Sequence, residues 1–198
     1  MVKNGRTNKQ RVWLTSETMN KVRLYLGYFL NFIYNDVITH IPLHILRKVF
    51  LRLFNKKISR SSVILMHVRI LNFWNIQIGA HSIINQYVLL DCRKYKILID
   101  DNVDIGPYTR IWTLAHDPND EKHDIKGGDV HIKHHVWIAS GVTVLPNLII
   151  GEGAIIGSGS VLTKSVGSKE IVAGIPARVI GHRQNSLSYN LQYVPIFE

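Results

Sequence analysis

Residues 132–162 read IKHHVWIASGVTVLPNLIIGEGAIIGSGSVL, and within them Ile132, Ile138, Val144, Ile150, Ile156 and Leu162 stand six apart without a slip. Two residues ahead of each comes a second apolar or small side chain: Val130, Val136, Val142, Leu148, Ala154 and Ser160. Glycine follows at Gly151 and Gly157. A period of six suits neither a helix nor a simple two-residue alternation. It suits a coil of short strands with a corner every sixth residue, each corner turning one aliphatic side chain inward. That periodicity predicts a parallel β-helix, a solenoid whose stacked coils bury one continuous core.

Working outward, the period starts faintly at Ile58, Ile64, Ile70 and Ile76, then restarts in a new phase at Ile78, Ile84 and Leu90. The segment DCRKYKIL (91–98) shifts the phase by three, and Ile99, Ile105 and Ile111 resume it. Ile111 and Ile132 are not a multiple of six apart, so residues of about 112–129 are an insertion: WTLAHDPNDEKHDIKGGDVH spans 112–131 and is rich in Asp, Gly and His. The expected organisation is a basic arm and helical segment over 1–57, a β-helix of roughly five coils over 58–166, and a C-terminal segment over 167–198. Residues 184–198 carry no regular signal and read as a tail or as an arm reaching another subunit.

The chain of 198 residues is 46% hydrophobic and 19% charged, a globular composition with room for one buried core. Its single cysteine, Cys92, excludes an internal disulfide framework and suits a reducing compartment. The first fifteen residues are polar and basic, without the apolar stretch of a signal peptide. The net charge of +10 is carried by residues 1–60, where twelve Lys and Arg face only Glu17 and Asp36; the rest balances to zero. No nucleic-acid-binding motif accompanies that charge, and no nucleic-acid partner is expected.

In the N-terminal segment, Thr15 or Ser16 can cap a helix through KVRLYLGYFLNFIYNDVI (21–38), and Pro42 opens a second over PLHILRKVFLRLFNKK (42–57). Asn31, Asn35, Asp36, His40, Pro42 and His44 interrupt the apolar runs, which fall short of the roughly twenty residues a membrane span needs. Two readings stand for this pair: a cap packed on the solenoid or a neighbouring subunit, or peripheral contact with a membrane surface through its basic residues.

A loop ejected from a regular wall is where chemistry is to be sought. This one holds His116 and His123 among Asp117, Asp120, Glu121, Asp124 and Asp129, and histidine is the side chain suited to accept a proton near neutral pH. His123 is read as a loop residue without a role.

LAHDP (114–118), VWIASGVTVLPNLIIGEGAIIGSGSVLTKSV (136–166) and IVAGIPARVI (171–180) resemble the hexapeptide-repeat O-acetyltransferases of bacterial sugar and exopolysaccharide metabolism. The colanic-acid, nodulation, maltose and galactoside types are the most similar. The resemblance implies a left-handed β-helix and a homotrimer with active sites between neighbouring prisms. It implies acetyl-CoA as co-substrate, with no metal required, and a saccharide acceptor, either a small molecule or a polymer precursor. His116 matches the family's general base. Asn85, in SIINQYVLLD, and Asp91 match acceptor-binding positions. Trp137, Ser140 and Ser158 match positions along the pantetheine arm; Thr163, Lys164 and Arg178 match positions toward the nucleotide. Ala139 departs from the glycine usual after VWI, and Lys133 from the common IG. The expected location is cytoplasmic, at the inner face of the membrane.

Two other classes fit the same fold. One is a non-catalytic scaffold or binding module. The other is a γ-type zinc carbonic anhydrase, for which His131, His134 and His135 cluster; but the H-x4-H spacing of that type is absent, since Glu121 lies five past His116 and Val136 five past His131.

Overall fold

The computed structural model describes the backbone of residues 7–197 and the side chains of residues 21–197. Strands of two or three residues stack in parallel into three faces of four, five and seven strands, the last ending in an antiparallel hairpin, Glu170–Gly174 with Ala177–His182. The six-residue period sets the register. Ile64, Ile84, Ile105, Ile138, Ile156 and Val172 are successive partners on the seven-stranded face. Ile70, Leu90, Ile111, Val144 and Leu162 are partners on the five-stranded face, and Ile78, Ile99, Ile132 and Ile150 on the four-stranded one. All are buried, as are Val130, Val136, Val142, Leu148, Ala154 and Ser160 two residues ahead of their partners in the repeat.

The breaks in phase have local causes. A 3-10 turn, Phe73–Asn75, occupies the corner before Ile76–Ile78, and that strand turns both Ile76 and Ile78 inward. Both phases of the sequence are therefore real at that point.

At two of the three edges, each corner places a left-handed residue three positions before the inward aliphatic. Along one edge these are His67, Tyr87, Tyr108, Gly141 and Gly159; along the next, His81, Asn102, His135, Gly153 and Lys169. Glycine takes this conformation without steric cost, whereas the others accept a penalty of order 1 kcal/mol. The glycines directly after inward aliphatics serve a different purpose, which is close approach of the next coil. A Cβ on Gly106 would stand 2.7 Å from the backbone at Ala139–Ser140, and one on Gly157 would stand 2.9 Å from the Ala173 methyl.

Helix α1 (Thr7–Asp36) starts ahead of the expected Thr15–Ser16 cap. No Pro or Gly lies between Thr7 and Thr15 to stop it. The first six residues of the expected basic arm, and the Thr15 and Ser16 side chains, lie outside the described residues. A 3-10 turn, Ile38–His40, leads to α2 (His44–Phe54). No helix among the described residues is long and apolar enough to cross a membrane.

The pair closes the open end of the solenoid by supplying the hydrogen bonds that a further coil would have made. Asn35 acts as a strand substitute: its Oδ1 accepts the Ile70 N–H (2.8 Å) and its Nδ2 donates to the Ile70 carbonyl (3.0 Å). Asn55 donates to the carbonyls of Phe73 and Ile76, Thr39 donates to that of Val68, and Asn31 accepts the N–H of Asn72. Arg47, fully buried, donates to the carbonyls of Ile41 and Ile64.

His44 completes this cap, its Nε2 accepting the Ile64 N–H at 3.3 Å. That bond requires the neutral ring. Burial first, then Lys48 and Arg47, push its pKa down to about 4. Between that value and its ordinary value near 6.5, the unfolded chain binds a proton that the folded chain does not. The cap's contribution is therefore complete above about pH 6.5 and is lost as pH falls toward 4, up to about 3 kcal/mol. Denaturant unfolding at neutral pH and near pH 4.5 should show this loss, and His44→Gln should lose less over the same interval. Equal losses would remove His44 as the cause.

The C-terminal segment does not leave the molecule; its described part folds back along its own β-helix. Arg183 donates to the His135 carbonyl (2.9 Å), and Leu187 covers Gly153, where a Cβ would stand 2.6 Å from it. The Leu191 N–H donates to Asn102 (3.0 Å), and Phe197 bridges to Leu43 just before α2.

Candidate active site at the inserted hairpin

The chain leaves the five-stranded face after Trp112 and rejoins the four-stranded face at Val130. Between them Leu114–His116 and Ile125–Gly127 pair antiparallel, with His116 opposite Ile125. The base is fixed to the solenoid: the Gly128 N–H donates to the Thr113 carbonyl (3.0 Å), and the Thr113 hydroxyl donates to the Asp91 carbonyl (2.7 Å). Gly127 is obligatory there, since a Cβ would fall 2.1 Å from the Thr113 oxygen. At the tip the Asp117 carboxylate accepts from the Asn119 N–H (3.1 Å) and from Lys126 Nζ (3.0 Å). These two bonds hold it below the usual carboxylate range.

His116 is exposed on this frame. Its Nδ1 lies 2.7 Å from the His123 carbonyl oxygen, and its ring stacks on that of His123 with centroids 3.8 Å apart and planes 8° apart. A carbonyl oxygen only accepts, so Nδ1 carries the ring proton and the lone pair is on Nε2. The side chain is thus set as a proton acceptor through one defined atom. His123, seven residues on, is the partner the sequence reading set aside. A HisN6His spacing straddling the Pro-Asn-Asp tip of a hairpin was the signal that could have found it.

Asn85 follows Ile84 on the seven-stranded face. Its Nδ2 donates to Asp104 Oδ1 and to the Ile105 carbonyl, both at 2.9 Å, which leaves its Oδ1 to accept. Burial raises the Asp104 pKa, and the Asn85 bond opposes that rise. Trp137 is the register partner of Asp104 on the other side and is 46% exposed. Asn85, Asp104 and Trp137 therefore occupy consecutive coils of one face.

Ser140 and Ser158 sit one coil apart at the adjoining corner, where the Gly159 N–H donates to the Ser140 carbonyl (2.9 Å). Beside them the surface is bare: a Cβ on Gly159 would meet nothing within 4 Å. Arg178 lies opposite Ala173 in the C-terminal hairpin, whose Gly174 N–H donates to the buried Ser160 hydroxyl (3.0 Å). Thr163 and Lys164 are exposed just past Leu162, beyond the five-stranded face.

Asp91 is placed differently from a free acceptor ligand. It is fully buried, and both its oxygens are held by Arg93 (2.9 and 2.8 Å), so a hydroxyl would meet this carboxylate only if the pair opened. Next to it, Cys92 is buried, and desolvation followed by the Asp91 charge pushes its thiol up to about 12. A thiol so held is no nucleophile at neutral pH. His131 and His134 share Asp100 at 3.0 and 3.6 Å, and among the described residues no group of three or more His, Cys, Asp or Glu is arranged around a common point for a metal.

Within one chain, Asn85 and His116 do not share a corner. Asn85 lies where the seven-stranded face meets the five-stranded one, and His116 lies on the hairpin beyond the five-stranded face.

The profile of the bacterial transferase hexapeptide (six repeats) family matches residues 129–164. Galactoside O-acetyltransferase of Escherichia coli K12 is 34% identical over 111 residues, which are 54% of this chain and 53% of that protein. The chain spans about half the length of the curated relatives it matches. Among solved structures, a maltose O-acetyltransferase from Clostridium difficile 630 has a TM-score of 0.70 at 27% identity, over 85% of this chain and 90% of that one. A galactoside acetyltransferase in complex with coenzyme A has a TM-score of 0.69 at 25% identity, over 80% and 79%. The chain is a left-handed β-helix that carries the bacterial transferase hexapeptide repeat over residues 129–164, and it is similar to the hexapeptide-repeat acetyltransferases.

Proposed function

We propose that this protein is an O-acetyltransferase that moves an acetyl group from acetyl-CoA to a saccharide hydroxyl, and that it works as a homotrimer. The observation that carries the reading is the tautomer of His116. With Nδ1–H tied to the His123 carbonyl, Nε2 is the base that takes the hydroxyl proton as that oxygen attacks the thioester carbon. When the C–S bond breaks, the same Nε2–H protonates the departing sulfur, so the ring ends as it began and the products are an acetyl ester and a free thiol. Asn85 Oδ1 orients the acceptor hydroxyl. The likeness to galactoside and maltose O-acetyltransferases supports a sugar acceptor. The bare corner at Gly141 and Gly159, with Ser140 and Ser158 beside it and the Trp137 face nearby, suits a thin extended arm such as pantetheine. Lys164 and Arg178 supply positive charge for its phosphate end.

The separation of Asn85 from His116 supports the trimer, because a hydroxyl oriented by one copy would meet the base of its neighbour. Complementation tests this directly. Asn85→Ala and His116→Ala, each followed by sugar-dependent thiol release, should be nearly inactive alone. Unfolded together and refolded as mixed trimers, they should recover a substantial fraction of activity, because some sites then draw both intact residues from different chains. No recovery from verified mixed trimers would show that each site is built within one chain.

A further inference from the structure

Helix α2 is packed with its polarity reversed. Its inward face is His44, Arg47 and Leu51, while Ile45, Leu46, Val49 and Leu53, on the opposite side at about 100° per residue, are 45–65% exposed. His44 and Arg47 face inward because the bare backbone edge of the first coil needs hydrogen bonds, while Leu51 beside them joins the buried core. The aliphatic face is thereby left outside. Helix α1 adds to it: Leu24, Tyr25, Leu26, Tyr28, Phe29 and Phe32 are all more than half exposed, although the helix is anchored to the body through Asn31 and Asn35.

Cations border this surface. Residues 21–60 carry eight Lys and Arg against the single Asp36, while residues 61–198 are neutral overall. Lys56, Lys57 and Arg60 are exposed directly after α2. Their segment is held against that helix by Lys48, which donates to the Arg60 carbonyl (2.8 Å), and by Arg52, which donates to the Ile58 carbonyl.

We propose that the outward faces of α1 and α2 dock on an anionic lipid bilayer, lying in its interface. A second copy of the chain is the poorer occupant, because it would set two surfaces of the same positive charge against each other. An anionic bilayer neutralises the cations and takes up the aliphatic and aromatic side chains together. The inference does not depend on the reaction proposed above.

Flotation of the full chain with vesicles tests it. At about 0.1 M salt, partitioning onto phosphatidylcholine vesicles containing about one third phosphatidylglycerol should exceed that onto pure phosphatidylcholine by about 10²-fold, the sum expected from three cations near the surface. Lys56→Glu/Lys57→Glu/Arg60→Glu should abolish that preference, and Lys57→Gln alone should lower it about fivefold. Leu46→Ser/Val49→Ser/Leu53→Ser, all at exposed positions, should weaken binding to anionic vesicles at least tenfold without changing the melting curve. Equal partitioning onto both vesicle types, or onto neither, would overturn the proposal. So would a serine variant that still binds vesicles fully but falls apart by light scattering, which would make the face an interface between copies.

Discussion

Alanine in place of His116 is expected to lower kcat for acetyl transfer by about 10²–10⁴-fold, the usual contribution of a positioned general base. The KM for acetyl-CoA should stay within about twofold, because the residues assigned to that ligand lie on the β-helix wall and the C-terminal hairpin. The hairpin itself does not depend on the imidazole. Its strands pair through backbone from Leu114 to Gly127, and its tip is held by Asp117 with Asn119 and Lys126. His123→Ala separates catalysis from positioning. It removes the ring stacked at 3.8 Å but leaves the carbonyl that fixes the tautomer. A loss of about tenfold in kcat, with KM unchanged, is the expected signature. A His116→Ala enzyme retaining more than about a tenth of wild-type kcat would show that the proton leaves by another route.

Asn35→Ala is expected to destabilise the fold by about 3 kcal/mol. Its side chain satisfies both the N–H and the carbonyl of Ile70, a fully buried residue at the open end of the five-stranded face. Removing it leaves one buried donor and one buried acceptor without partners, each costing about 1–3 kcal/mol. For a chain of this size that corresponds to a fall in Tm of roughly 6–12 °C. Asn31→Ala is the contrast. Asn31 is only half-buried and accepts a single N–H from Asn72, so about 1 kcal/mol is expected. Equal small losses in both variants would mean that the helices rest on the solenoid end without completing its hydrogen bonding.

The parts of the molecule visible in the sequence are those where one side chain type meets one environment. Every inward position must be apolar, so Ile132 to Leu162 display the coil register openly, and the insertion shows as a break in that count. The corners are obscure because their left-handed residues include His67, Tyr87, Asn102 and Lys169, chosen by no common chemistry. The C-terminal return was invisible for a related reason: Arg183, Leu187 and Leu191 attach it through three different kinds of contact. At the candidate site, the type and spacing of residues around His116 were legible. Its tautomer was not, since that depends on a backbone carbonyl across a hairpin. The engagement of Asp91 with Arg93 was hidden likewise, because a pair two residues apart forms only if the chain bends there, and it bends at the three-residue break in phase.

Incubation with acetyl-CoA labelled with carbon-13 at the acetyl carbonyl, with galactosides and maltose as acceptors, tests the central claim most directly. A new ester carbonyl on a saccharide oxygen should appear in step with thiol release, and should disappear with His116→Ala. Thiol release that is indifferent to saccharide, or ester formation that proceeds at the same rate in His116→Ala, would contradict it.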